Sequence, residues 1–169
     1  MADHKDLIIN RNRLIEVKDY NQAFELVKSA VSTVFDMHRA GLSLILQGMP
    51  TSLGAYHILG SNIIVVNKFV LDGIKEIAKT IEEYNSYLFM VLAHEYLHSF
   101  GIVEEFSVRK MTLKLCENFF GLDHPTYLLA KDPLILFPQL RLMPRNKFDN
   151  RLRLSKILTK ATKVTYSNY

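Results

Sequence analysis

The chain of 169 residues has one cysteine, no tryptophan and no apolar run that approaches the length of a membrane span. A lone cysteine, Cys116, excludes an intramolecular disulfide, and without any nucleophile motif around it a small buried hydrophobe is expected there. Met1-Ala2-Asp3-His4-Lys5-Asp6 contains no apolar signal core, so a cytoplasmic protein without a membrane span is expected. No internal repeat, phosphate loop or low-complexity tract is present. A chain of this length buries about two-thirds of its unfolded surface as one domain without covalent staples.

Against that plain background, His94-Glu95-Tyr96-Leu97-His98 stands out, followed by Ser99-Phe100-Gly101-Ile102-Val103-Glu104-Glu105. Two histidines at i and i+4 lie on one face of a helix, so both imidazoles can reach one ion at about 2.0–2.1 Å. Glu95, beside them, is placed to take a proton from a zinc-bound water and to hand it to a leaving amine. The apolar run Ser86–Ala93 is read as an N-cap and nearly two helical turns leading into His94, which places the motif in a buried helix. Burying two imidazoles and a carboxyl unpaired is expensive, and a metal with its water satisfies all three.

Gly101 can take a left-handed conformation, end the helix at C′ and turn the chain back towards the ion. A third ligand is therefore expected soon after, from Glu104, Glu105 or the more distant His124. Zinc in a hydrolase takes three protein ligands and leaves a fourth position open. Residues 103–120 read as a second helix ending at Gly121, and an acidic residue in its first turn suits the helix dipole. Glu105 shares a face with Val108 and Thr112, whereas Glu104 aligns with Val108, Met111 and Leu115. Glu105 is favoured and Glu104 is the alternative.

These residues resemble the zincin metallopeptidases, and the compact motif is most similar to the small single-domain gluzincin-like proteins called minigluzincins. The resemblance covers about residues 20–122. It implies an α+β zincin-like fold with a small mixed sheet, an active-site helix carrying His94, Glu95 and His98, a following glutamate helix, and an edge strand that holds an extended peptide. In the best-known gluzincins the glutamate lies farther downstream, whereas the position of Glu104 has the spacing at which metzincins carry a histidine.

Upstream, Ala23, Leu26, Val27, Ala30, Val31, Val34 and Phe35 predict a helix over about 19–39. Residues 42–46 and 53–58 read as strands, and a turn at Gly60-Ser61-Asn62 joins the second to a strand at 63–67. The strand with Gly54, Ala55, Tyr56 and His57 looks like the substrate-pairing edge strand, with Gly54 allowing close backbone approach and Tyr56 or His57 able to assist an oxyanion. His38 suits the end of the first helix, His124 a turn, and His4 a mobile end.

Residues 1–124 are thus expected to form the metallopeptidase domain. Residues 125–169 are expected to form an extended segment packed on it, because prolines recur there among apolar pairs. Residues 141–169 hold eight Lys/Arg and one acid, a net of +7, whereas the remainder carries 13 against 16, a net of −3. The basic stretch reads as an amphipathic helix over 149–163, packed on the body, or as an autoinhibitory arm over an acidic cleft. Nucleic-acid binding is the weakest of its readings, since Phe148 is its single interleaved aromatic.

The function these residues predict is a zinc-dependent peptidase acting on peptides or proteins through a zinc-bound water and Glu95 as general base. The competing reading is a catalytically silent zincin fold that binds a protein or nucleic acid through its basic tail. Glu95 favours the enzyme, because a structural zinc site needs no such carboxylate.

Overall fold

A computed structural model of the chain describes residues 3–142. These form an α+β fold of six α-helices and a three-stranded mixed sheet. In chain order the elements are α1 (His4–Ile15), α2 (Tyr20–Phe35), β1 (Ser43–Gln47), β2 (Ala55–His57), β3 (Ile63–Asn67), α3 (Lys68–Ile77), α4 (Ile81–His98), α5 (Glu105–Phe120) and α6 (Pro125–Lys131). Short 3-10 turns follow at Pro133–Ile135 and Pro138–Leu142. The basic segment from 143 onward, with the helix expected over 149–163, lies outside the described residues. No helix among the described residues is long and apolar enough to cross a membrane.

The fold is organised around α4, in which every residue from Asn85 to His98 is buried. A helix apolar on all sides must be covered on all sides. Helices α1, α2, α5 and α6 pack against it, and β2 and β3 cover another flank. Phe89, Leu92, Tyr96 and Leu97 are wholly enclosed, and each contributes about 1.5–3 kcal/mol by leaving water. The helix starts at Ile81, not at Ser86. Thr80 accepts the Glu83 N–H at 3.1 Å while the Glu83 carboxylate accepts the Lys79 N–H at 2.7 Å, a reciprocal cap. Ser86 is interior, and its hydroxyl has no hydrogen bond.

In the sheet β3 is central: β1 runs parallel to it with Ile45 opposite Val65, and β2 runs antiparallel with Tyr56 opposite Val65. Side-chain alternation sends Ile64 and Val66 into the helical core and Val65 to the other face. Asn67 ends β3 and holds the preceding loop in place. Its amide donates to the carbonyls of Met49, Pro50 and Leu53, and its carbonyl oxygen accepts from the Met49 and Phe69 amides, the latter capping α3. Gly48 is under close approach, since a Cβ there would meet the Phe69 ring at 2.6 Å.

Several expectations change. Helix α2 stops at Phe35 because Asp36 adopts a left-handed φ of 53°, so His38 lies beyond it and exposed. His4 is not in a loose end but opens α1, whose side chains dock on the far end of α5. Asn10 donates to the Phe119 carbonyl at 3.0 Å and Arg11 to that of Phe120 at 2.8 Å, satisfying carbonyls that a helix terminus leaves open. Residues 125–142, expected to be extended, form short helical pieces instead. Pro125 and Pro133 each start a helical turn, where a fixed φ and a missing N–H are no handicap. Leu129 and Phe137 from this segment belong to the main core, which is therefore incomplete at residue 124.

Leu129→Ala should accordingly destabilise the protein by about 2–5 kcal/mol in denaturant unfolding. An unchanged midpoint would place residues 125–137 outside the core.

Candidate metal centre

Helix α4 delivers His94 and His98 one turn apart, 3% and 2% exposed. Its end is set by Ser99, whose N–H bonds to Glu95 O, and the chain reverses through Gly101 at φ 86°. The helix thus ends three residues before that glycine, which serves the turn rather than the C′ position. The next helix begins at Glu105 rather than Val103, and the two adjacent glutamates part ways. Glu104 is the N-cap of α5: its carboxylate accepts the Phe106 and Ser107 N–H groups at 2.8 and 2.6 Å, and the Ser107 side chain together with these N–H groups lowers its pKa. Glu105, the first residue inside the helix, turns towards the histidines.

His94 Nε2 lies 3.2 Å from His98 Nε2 and 3.3 Å from Glu105 Oε1, and His98 Nε2 lies 3.3 Å from Glu105 Oε2. The chemistry of these atoms decides what they can hold. His98 Nδ1 is 2.7 Å from the Ile102 carbonyl, which can only accept, so Nδ1 donates and the neutral ring keeps a lone pair on Nε2. Burial alone would raise the Glu105 pKa, but the surrounding His94, His98 and Arg109 outweigh it and hold the group well below the carboxylate range. Burial in turn lowers the His94 pKa and favours its neutral ring. The His98 lone pair, the neutral His94 ring and the ionised Glu105 carboxylate thus converge on one point, a donor set that could hold a cation. An ion about 2.0–2.1 Å from each donor in tetrahedral geometry needs donor separations of about 3.3–3.4 Å. The observed separations fit.

Glu95 lies wholly buried in α4, and neither of its oxygens has a hydrogen-bond partner. Desolvation, then the nearby Glu105 charge, raises its pKa well above the usual range. The His57 N–H faces it and opposes that shift without closing a hydrogen bond. This brings β2 to the site by its backbone. The bonds Asn67 N–H to Gly54 O and Ile58 N–H to Ile63 O, with alternation along the antiparallel pair, commit Gly54, Tyr56 and Ile58 to β3. Ala55 and His57 consequently direct their peptide groups to the edge that pairs with no strand among the described residues, the side on which Glu95 lies.

The side chains of β2 do less than expected. Tyr56 faces the opposite side of the sheet, buried with Met49 and Val65, so its phenol does not reach the centre. The His57 ring is folded back, its Nδ1 3.0 Å from the Ile63 carbonyl. His124 does not join the cluster: it caps α6, with Nδ1 2.9 Å from the Thr126 hydroxyl, and stacks on Phe120. Cys116 is buried, and burial pushes its thiol up to about 12, an inert hydrophobe. Arg109, by contrast, was not anticipated. Its Nε donates to Glu105 Oε1 at 2.8 Å, and the signal for it was an i,i+4 acid–base pair on one helix.

The two glutamates should separate in experiment. Glu105→Ala should weaken metal binding by about tenfold or more while Glu104→Ala lowers the unfolding midpoint and leaves metal affinity in place, as titration calorimetry and thermal melts would report. The reverse ranking would move the centre to Glu104. A second prediction concerns His124, whose pKa burial and the Arg11 charge lower to about 4 against the opposing charge of Asp123. The unfolded ring takes up its proton near pH 6.5 and the folded ring only near 4, so stability falls as pH drops through that window and levels off below it. The loss is at most about 3 kcal/mol, and His124→Gln should flatten this part of the stability profile.

The chain matches no family model, no curated protein and no solved structure, so what the centre does is read from its own geometry.

Proposed function

We propose that the protein is a zinc-dependent peptidase in which His94, His98 and Glu105 hold the ion and Glu95 is the general base. The convergence of two imidazole nitrogens and a carboxylate at 3.2–3.3 Å beside a buried carboxyl without a partner carries this reading. Two nitrogens and one oxygen suit zinc, and three protein ligands are the complement of hydrolytic rather than structural zinc sites. When bound, the ion supplies Lewis acidity, polarising a carbonyl and making water easier to deprotonate.

The chain's own groups do the remainder. Glu95 takes the proton of the attacking water and gives it to the departing amine, a transfer for which its enclosed setting removes competing solvent. His98, held by the Ile102 carbonyl, keeps its Nε2 directed inward, and Arg109 fixes the rotamer of Glu105. A substrate in extended conformation adds to the open edge of β2 through the peptide groups of Ala55 and His57, which aligns its backbone past Glu95. Recognition through main-chain groups favours peptides over other hydrolysable substrates.

Glu95→Gln should retain one zinc per chain and the native fold while abolishing cleavage in a peptide-library digest, because an amide cannot accept the proton. A wild type that binds zinc yet cleaves nothing, or a variant that cleaves as well as wild type, would overturn the catalytic assignment. Full zinc occupancy in a His94→Ala/His98→Ala double variant would overturn the metal assignment separately.

A further inference from the structure

A second concave site lies where the turn between α3 and α4 meets the start of α2, a cavity of about 500 Å³. Leu88 on its floor precedes His94 by nearly two turns of α4, so the cavity is separate from the metal centre. Its volume falls within the range of small-molecule sites, about 300–1,000 Å³. Sequence spacing builds it: α3 turns Leu71 and Lys75 towards it and α4 turns Tyr84 and Leu88, residues four apart on each helix. Leu71 and Leu88, 6% and 2% exposed, form an apolar floor, and Tyr20 and Tyr84 stand half-buried at its sides.

The charges around this floor do not balance. Two carboxylates line the cavity, and both are engaged: Asp72 pairs with Lys68, and Asp19 accepts the Gln22 N–H as the cap of α2. Lys18, Lys75 and Lys79 remain around the same opening without a carboxylate partner among the described residues. The Tyr20 and Tyr84 hydroxyls likewise have no hydrogen-bond partner among the described residues. Three ammonium groups around one hollow repel one another, and an anion placed between them relieves the repulsion and gains charge-assisted hydrogen bonds. Solvated lysines alone would make a diffuse positive surface. An apolar floor flanked by two phenols, beneath such a rim, defines a ligand with two unlike ends.

We propose that this cavity binds a small organic anion with an aromatic or aliphatic body, its phosphate or carboxylate against Lys18, Lys75 and Lys79 and its body on Leu71 and Leu88. The two phenols donate to the same acid group or flank the ring. Recognition needs both ends, since inorganic phosphate misses the floor and a neutral ring misses the rim.

Titration calorimetry of the full chain with 1-naphthyl phosphate, 1-naphthol, 1-naphthoate and inorganic phosphate tests this. Saturable binding of naphthyl phosphate or naphthoate is expected, with naphthol and inorganic phosphate about tenfold weaker or worse. Which of the two acids binds more tightly tells phosphate from carboxylate chemistry. Lys75→Glu/Lys79→Glu, at exposed positions, should reduce the affinity by about tenfold or more with an unchanged melting temperature, and rising salt should weaken the wild type. If the double variant does not fold, Lys18→Gln carries the same comparison. Absence of saturable binding, equal affinity for naphthol, or affinity unaltered in a folded variant would overturn the proposal.

Discussion

A helix enclosed on every side leaves its polar side chains no water to fall back on, and α4 carries several. Most are matched to a connecting segment that needs a partner of its own. Asn85 donates to the carbonyls of Leu14 and Val17 and so holds the turn between α1 and α2. The Tyr96 hydroxyl accepts the Arg39 N–H and donates to the Arg39 carbonyl, fixing the chain as it leaves α2 for the sheet. His98 Nδ1 reaches Ile102 and shapes the return towards α5. One buried helix thus specifies three loops, and the groups on it left without a hydrogen bond among the described residues are the Ser86 hydroxyl and the carboxyl of Glu95.

The start of α5 solves a placement problem. Consecutive helical residues diverge by about 100°, so two adjacent glutamates cannot both face one point. Here one is spent on the helix N-terminus, where free N–H groups and the dipole favour a carboxylate, and the other enters the cluster. Arg109, one turn on, steadies the inward carboxylate. The cap and the ligand position depend on each other, because Glu104 as the cap puts Glu105 at the first helical position.

Much of this was legible in the chain. The histidine spacing, the apolar helix around it, the hairpin of β2 and β3 and the break at Gly101 all follow from periodicity and turn chemistry, which act locally. Helix α1 was missed because its apolar residues do not form one stripe: Leu14 is buried whereas Ile8 and Ile9 are 47% exposed, and its docking relies on Asn10 and Arg11 meeting carbonyls more than a hundred positions away. The true cap of α4, Thr80 with Glu83, lay in plain view but was outweighed by the serine nearer the motif. The facing of Tyr56 was open because a strand of three residues is too short for alternation to declare which side is inward. The prolines after residue 124 were read as interruptions, although their fixed φ equally suits the first residue of a helical turn.

The sheet has two borders, and their chemistry differs. That of β2 is short and lies against α4. The border of β1 presents Ser43-Leu44-Ile45-Leu46-Gln47 with Ile45 and Leu46 42% and 36% exposed, and it contains no lysine, proline or bulge to discourage another strand. Among the described residues it is the strand edge best suited to pairing between copies, and association of concentrated or partly unfolded protein through β1 is the expected consequence. A lysine at position 45 would guard that border without reaching either the histidine cluster or the helical core.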